Sequence, residues 1–181
     1  MRSITTTLLI VTLALSWLLG CTSRYRRELY MAAGEDRRKV TVVTTEYIPG
    51  VRLTNLYADR KVTPGAGSCL VLSTQTRGRT VDTEFLQEFV QFDENLQSDL
   101  YLQLPPVPAP DSIDLTGNAV VQLRGRYEQP MVEKVFLPDP GGKLVVDSIV
   151  SEHLYARIDG VFTSQAGQQV TFDGNFRARI D

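Results

Sequence analysis

Histidine is nearly absent from this chain: His153 is the only one. A lone histidine cannot build the multi-histidine sites that hold zinc, and His153, beside Glu152, reads as a strand-start residue and not as a catalytic base. Cysteine is almost as scarce, with Cys21 and Cys69 alone and no ligand spacing between them. Cys69 follows Gly67-Ser68 and opens the apolar run Cys69-Leu70-Val71-Leu72, so it reads as a small buried residue on a strand. There is no Gly-x-Ser-x-Gly elbow, phosphate-binding loop or dinucleotide fingerprint. Gly65-Ala66-Gly67 lacks the lysine that a phosphate loop needs. Asp93, Glu94 and Asp99 do not have calcium-loop spacing and read as a solvated acidic face. The formal net charge is −2, which leaves no electrostatic footprint for nucleic acid. No catalytic residue, metal ligand or cofactor is assigned.

What the chain does have begins at its N-terminus. Arg2 precedes an apolar run over residues 4–17, softened by Thr5, Thr6, Thr7, Thr12 and Ser16. The run is shorter than the roughly 20 residues of a transmembrane helix. It ends in Leu18-Leu19-Gly20-Cys21, with Gly20 as the small residue beside a cleavage point. This arrangement resembles the lipobox of a bacterial lipoprotein signal peptide, although Leu19 is bulkier than the usual residue there. The resemblance covers residues 1–21 only. It implies a signal peptide over 1–20, acyl (palmitate-type) lipidation of Cys21, and a protein held in the cell envelope on a membrane it does not span. Two or more acyl chains give stable anchoring. Thr22 is not the Asp that retains many such lipoproteins at an inner membrane, so an outer membrane is the expected home where the cell has two.

Residues 21–39 read as an acylated tether, basic at Arg24, Arg26 and Arg27 and charged again over 35–39. From Val40 the pattern becomes β. Residues 40–45 are rich in β-branched side chains, Pro49-Gly50 marks a turn, and a second strand is expected over 69–76 after the breaker-rich Pro64-Gly65-Ala66-Gly67. Between Thr83 and Phe92, Phe85, Phe89 and Phe92 recur at helical spacing. That segment reads as a short helix capped by Asp82 or Thr83, with a strand as the alternative. Residues 100–104 alternate. Four prolines over 105–110 then make an extended crossing within one domain. Strands are expected over 113–115, 119–127, 131–137, 144–150, 153–162 and 170–180. The fold class is mainly β: a single antiparallel β-sandwich or barrel-like domain over 40–181, with one short helix.

The last two strands can be set in register. Leu154, Ala156, Ile158, Gly160 and Phe162 share one face, as do Val170, Phe172, Gly174, Phe176, Ala178 and Ile180. Gly167 suits a short loop residue of positive φ, and pairing Ser164 with Gln168 places Phe162 opposite Val170, Gly160 opposite Phe172, Ile158 opposite Gly174 and Ala156 opposite Phe176. Each glycine is then covered by a large cross-strand neighbour. A slip of one residue would turn the apolar face outward. The same register sets Asp159 against Asp173, an unfavourable like-charge pair that Arg157 and Arg177 are placed to neutralise. A solvated charge ladder is the main reading of these four residues; a small-cation site or a carboxylate pair sharing a proton is the alternative.

Function is read from this architecture. A lipid-anchored binding or interaction module ranks first, presenting loops or an edge strand to an envelope protein. A carrier or sensor of a small apolar ligand ranks second, with a barrel interior lined by Phe162, Phe172 and Phe176. An enzyme built on scattered carboxylates ranks third.

Overall fold

A computed structural model describes residues 28–53, 64–76, 96–124 and 133–181. Cys21, the 83–92 segment, Asp93 and Glu94 lie outside these residues. Ten strands are described: β1 (Leu29–Ala33), β2 (Asp36–Val51), β3 (Pro64–Thr76), β4 (Leu96–Leu104), β5 (Asp111–Asp114), β6 (Ala119–Arg124), β7 (Glu133–Pro138), β8 (Lys143–Val150), β9 (His153–Ser164) and β10 (Gln169–Arg179). They form one antiparallel sheet in the order β10-β1-β2-β3-β4-β6-β7-β9-β8-β5, and β10 also pairs with β9. That extra pairing closes eight strands into a barrel, with β8 and β5 continuing the sheet beside β9. The domain is therefore a barrel and not a sandwich.

Period-two burial makes the barrel wall. β9 alternates along its whole length, with Leu154, Ala156, Ile158 and Phe162 buried. Facing strands send in Leu70, Leu72, Leu100, Leu102, Leu104, Val121 and Phe136. Phe162 and Phe172 meet edge to face, with centroids 6.1 Å apart and planes at 87°. An eight-stranded barrel has an interior just wide enough for side chains to fill, and here four phenylalanines and a set of leucines are fully buried in it.

The β9–β10 register is the expected one. Phe162 pairs with Val170, Gly160 with Phe172, Ile158 with Gly174, Ala156 with Phe176 and Asp159 with Asp173. Ser164 N–H donates to the Gln168 carbonyl at 2.8 Å, and Gly167 sits at φ +79°. What lies over the glycines differs. Leu115, arriving after β5, packs against Gly160. Gly174 makes room for backbone.

Three expectations are corrected. The tether does not run to residue 39, because Leu29, Met31 and Ala33 are buried in the core and Arg37 to Lys39 already belong to β2. Five residues between charged flanks are too few for that alternation to stand out. Pro49-Gly50 is not a turn. β2 runs through it, with a register shift between Pro49 and Val51 and Gly50 at φ +72°, so a bulge absorbs both residues. The second expected strand starts at Pro64 and not at Cys69, so the breaker-rich Pro64–Gly67 segment is the start of β3. Gly67, at φ +135°, leaves the space that the Gln103 side chain occupies.

β1 is the shortest stave of the barrel and the one that completes it. It pairs with β2 from Leu29↔Val40 to Ala33↔Asp36 and with β10 from Leu29↔Gly174 to Ala32↔Thr171. Asn175 N–H donates to the Glu28 carbonyl at 3.0 Å. Gly174 stands at φ +124°, and a Cβ there would collide with the Glu28 carbonyl. Gly174→Ala is therefore expected to cost about 2 kcal/mol or more of stability in urea unfolding. Gly34→Ala is the comparison, at φ +62° in open space, where only left-handed strain of about 1 kcal/mol applies. Equal costs at the two positions would contradict the collision.

Candidate functional site

The outer wall of the barrel has two unlike regions. Over β8, β9, β10, β1 and the start of β2 it is charged. Asp159 and Asp173 stand opposite one another, and the structure brings Arg157 and Arg177 onto the same strands. Their expected role as neutralisers is corrected. Asp173 is held by Arg37 of β2, whose Nη2 donates to Oδ2 at 2.5 Å. That bond is the main reason the Arg37 guanidinium pKa is raised. Arg37 also lies over the Tyr30 ring, 4.0 Å from its centroid. Asp159 faces Lys143 across the other strand pair. Arg157 instead grips Asp147, with contacts of 3.1, 3.1 and 2.8 Å. The register shift between Val146 and Ser148 places Asp147 at the irregularity in β8. Arg177 lies over the Tyr155 ring at 5.8 Å.

The four expected residues thus form part of a longer exposed ladder that reaches from Lys143 to Arg37. Arg37 is invisible in the hairpin alone, because it arrives through β1. Among the described residues no group of three or more His, Cys, Asp or Glu is placed to hold a metal ion. His153 is engaged locally, with Nδ1 2.8 Å from the Ser151 carbonyl.

Where the end of β2 meets β3, β4 and β6, part of the outer wall is covered. Val51, Leu53, Cys69, Val71 and Val120 form a second buried cluster with Ile48, Tyr101 and Val135 beside it. Cys69 lies in it with no exposure. Burial pushes its thiol pKa up to about 12, so it stays protonated and unreactive in the folded chain. Gln103 fixes the chain as it leaves β2. Its Oε1 accepts from Leu53 N–H at 2.8 Å, while its Nε2 donates to the carbonyls of Ser68, Leu104 and Val51 at 2.9, 3.2 and 3.3 Å. Nothing in sequence periodicity marks such a rivet.

Asp99 is also corrected. It is not solvated but 1% exposed. Its Oδ2 accepts from Arg124 Nε at 2.6 Å and its Oδ1 from Ser73 Oγ at 2.8 Å. Its alternation with Leu100 and Leu102 places it on the outer face, and the cover over that face was not legible from β4 alone. A small recess of about 200 Å³ lies beside this pair, lined in part by Thr44, Ser73, Gln97 and Arg124. A hollow of about 630 Å³ opens over the charged ladder, lined in part by Lys143, Arg157, Asp159 and Asp173. Two further hollows open on the wall. One, of about 990 Å³, is lined by Lys134, Val135, Leu137 and the 163–166 segment. The other, of about 300 Å³, lies between β2 and β10 past the N-terminal end of β1.

Removing Arg124 strands a buried carboxylate, so Arg124→Ala is expected to cost about 3 kcal/mol, read by chemical denaturation. Asp99→Asn/Arg124→Ala together are expected to recover part of that loss. A second check is the acid limb of stability. Asp114 is held below the usual carboxylate range by the Thr116 N–H, which donates to its Oδ1 at 2.7 Å. A carboxyl pKa lowered by folding contributes stability above its unfolded value near 4 and loses it as pH falls through the folded value. The stability difference between the native chain and Asp114→Asn should therefore shrink below about pH 4; a difference that grows in acid would contradict the assignment. In comparisons with known proteins, no protein-family model, curated protein or solved structure matches the chain.

Proposed function

We propose that the chain is a lipid-anchored envelope protein whose barrel works as an interaction module. The anchor reading stands on Leu18-Leu19-Gly20-Cys21 at the end of the N-terminal apolar run. The module reading stands on one observation: the interior is filled by side chains, so the wall is the surface left to work. Phe162, Phe172 and Phe176, which would line a carrier's cavity, are buried at 0, 0 and 1% exposure and occupy that space themselves. That argument places the carrier reading second.

The working surface is assigned to the hollow beside β7 and the end of β9. Leu137 is 51% exposed and Val161 is 37% exposed, and Leu137 pairs with Thr163 at the short β7–β9 junction. Leu137 borders the hollow, Val161 lies two residues along β9 from Thr163 of its lining, and exposed apolar side chains beside a hollow are what a protein partner buries. β7 pairs with β9 only from Phe136 to Pro138 among the described residues, so Lys134 and Val135 border this hollow next to the junction. The partner is an envelope protein within reach of the anchor. Nucleic acid is not a partner in this reading, and the chain is not read as an enzyme.

Two measurements test this. Mass spectrometry of the N-terminal peptide should find acyl chains on Cys21 and no residues before it. Crosslinking in membranes, from photoreactive side chains placed at positions 137 and 161, should recover a single partner in stoichiometric yield. Leu137→Glu should abolish that crosslink from position 161 and shift stability by no more than about 0.5 kcal/mol, the range of an exposed substitution. Recovery of no specific protein from either position would overturn the module reading.

A further inference from the structure

We infer that the groove between β2 and β10, past the N-terminal end of β1, binds the phosphate of an anionic phospholipid and seats the barrel on the membrane. β1 is five residues long, while its neighbours outrun it. β2 continues past Val40 to Val51 and β10 past Gly174 to Arg179. Where β1 ends, the two flanking strands border a groove of about 300 Å³. Lys39, Thr41, Asn175 and Arg177 line it together with Leu29 and Phe176, of which the last two are 2% and 1% exposed.

This composition suits a phosphate group. Lys39 and Arg177 both line this one small groove and give it two cationic side chains. Lys39 has a half-exposed side chain whose Nζ is 3.8 Å from Glu28 Oε1, too long for a hydrogen bond. It can turn to a new acceptor at little cost. Arg177 presents a planar fork suited to phosphate oxygens, beside the Tyr155 ring over which it lies. Thr41 and Asn175 add hydrogen-bonding groups.

Location supplies the second argument. Glu28, at the end of β1, is joined to Cys21 by only six intervening residues. At no more than about 3.5 Å each they span roughly 20–25 Å. Three of the six are Arg24, Arg26 and Arg27, which strengthen attraction to an anionic surface. This reach argument rests on the acylation proposed for Cys21; the chemistry of the groove does not.

The test is hydrogen–deuterium exchange on the full mature protein added to vesicles of phosphatidylglycerol with phosphatidylcholine, and separately to phosphatidylcholine alone. Backbone amides over residues 39–45 and 175–177 should exchange roughly tenfold more slowly on the anionic vesicles than on the neutral ones. Lys39→Glu/Arg177→Glu should abolish the difference while leaving the protection of β9 unchanged. Should that variant unfold, Lys39→Gln/Arg177→Gln replaces it and is expected to reduce the same difference. Equal exchange on both vesicle types overturns the proposal. So does equal slowing by inorganic phosphate on neutral vesicles, which would make this a free-phosphate site. The mass of the N-terminal peptide, read in the same experiment, reports acylation separately. An unmodified Cys21 would end the anchor reading, and the vesicle comparison would still decide the groove.

Discussion

An antiparallel barrel has to bring its first strand to its last, and everything else in this chain is arranged around that closure. Each strand edge carries a row of backbone donors and acceptors that must be paired or solvated. Here β1 supplies the missing partner for both β2 and β10. It does so with five residues, three of them buried. The closure depends on Gly174, because only a residue without Cβ lets the Glu28 backbone approach so near. Once β1 is in place, Tyr30 and Arg37 are carried to Asp173, and the charged face becomes a continuous ladder in place of a repulsive carboxylate pair.

The opposite side of the wall follows a different rule. There both faces of the sheet are buried, and β3 accordingly reads as a near-continuous apolar run from Cys69 to Leu72. Polar groups on this side are fully occupied. Gln103 satisfies four backbone groups, and Asp99 takes Arg124 and Ser73. Among the described residues no buried side-chain nitrogen or oxygen lacks a partner. Such networks fix the geometry of the chain leaving β2, because each member left alone would carry the full cost of desolvation.

How far the sequence discloses this depends on the range of each interaction. The β9–β10 hairpin was readable to the residue, since its turn, its alternation and its glycines all point to one register. The strands from β6 onward were readable as strands for the same local reason. β1 was not, because alternation over Leu29, Met31 and Ala33 is too brief to stand out among charges. Pro49, Gly50, Pro64 and Gly67 were misread as breaks. Their meaning comes from neighbours distant in sequence, a bulge in one case and the Gln103 side chain in another. The partners of Asp173 and Asp99 were likewise set by strand order, which periodicity does not encode. The proposed groove belongs to that class too, since it exists only where β2 and β10 outrun the strand between them.

The pairing of β1 with β10 also sets an order of events. A ribosome releases Leu29 long before Gly174, and the two must meet across nearly the whole domain. Local hairpins such as β8–β9 and β9–β10 can form as soon as their own residues are free, but the loop that joins the two ends must be closed against its full entropy. Until β10 exists, β1 has no place on one side, and β2 has no barrel to belong to. Closure is therefore a terminal step that senses completeness. A chain cut short anywhere before residue 170 leaves two open strand edges, which quality-control proteases and chaperones can recognise as unfinished.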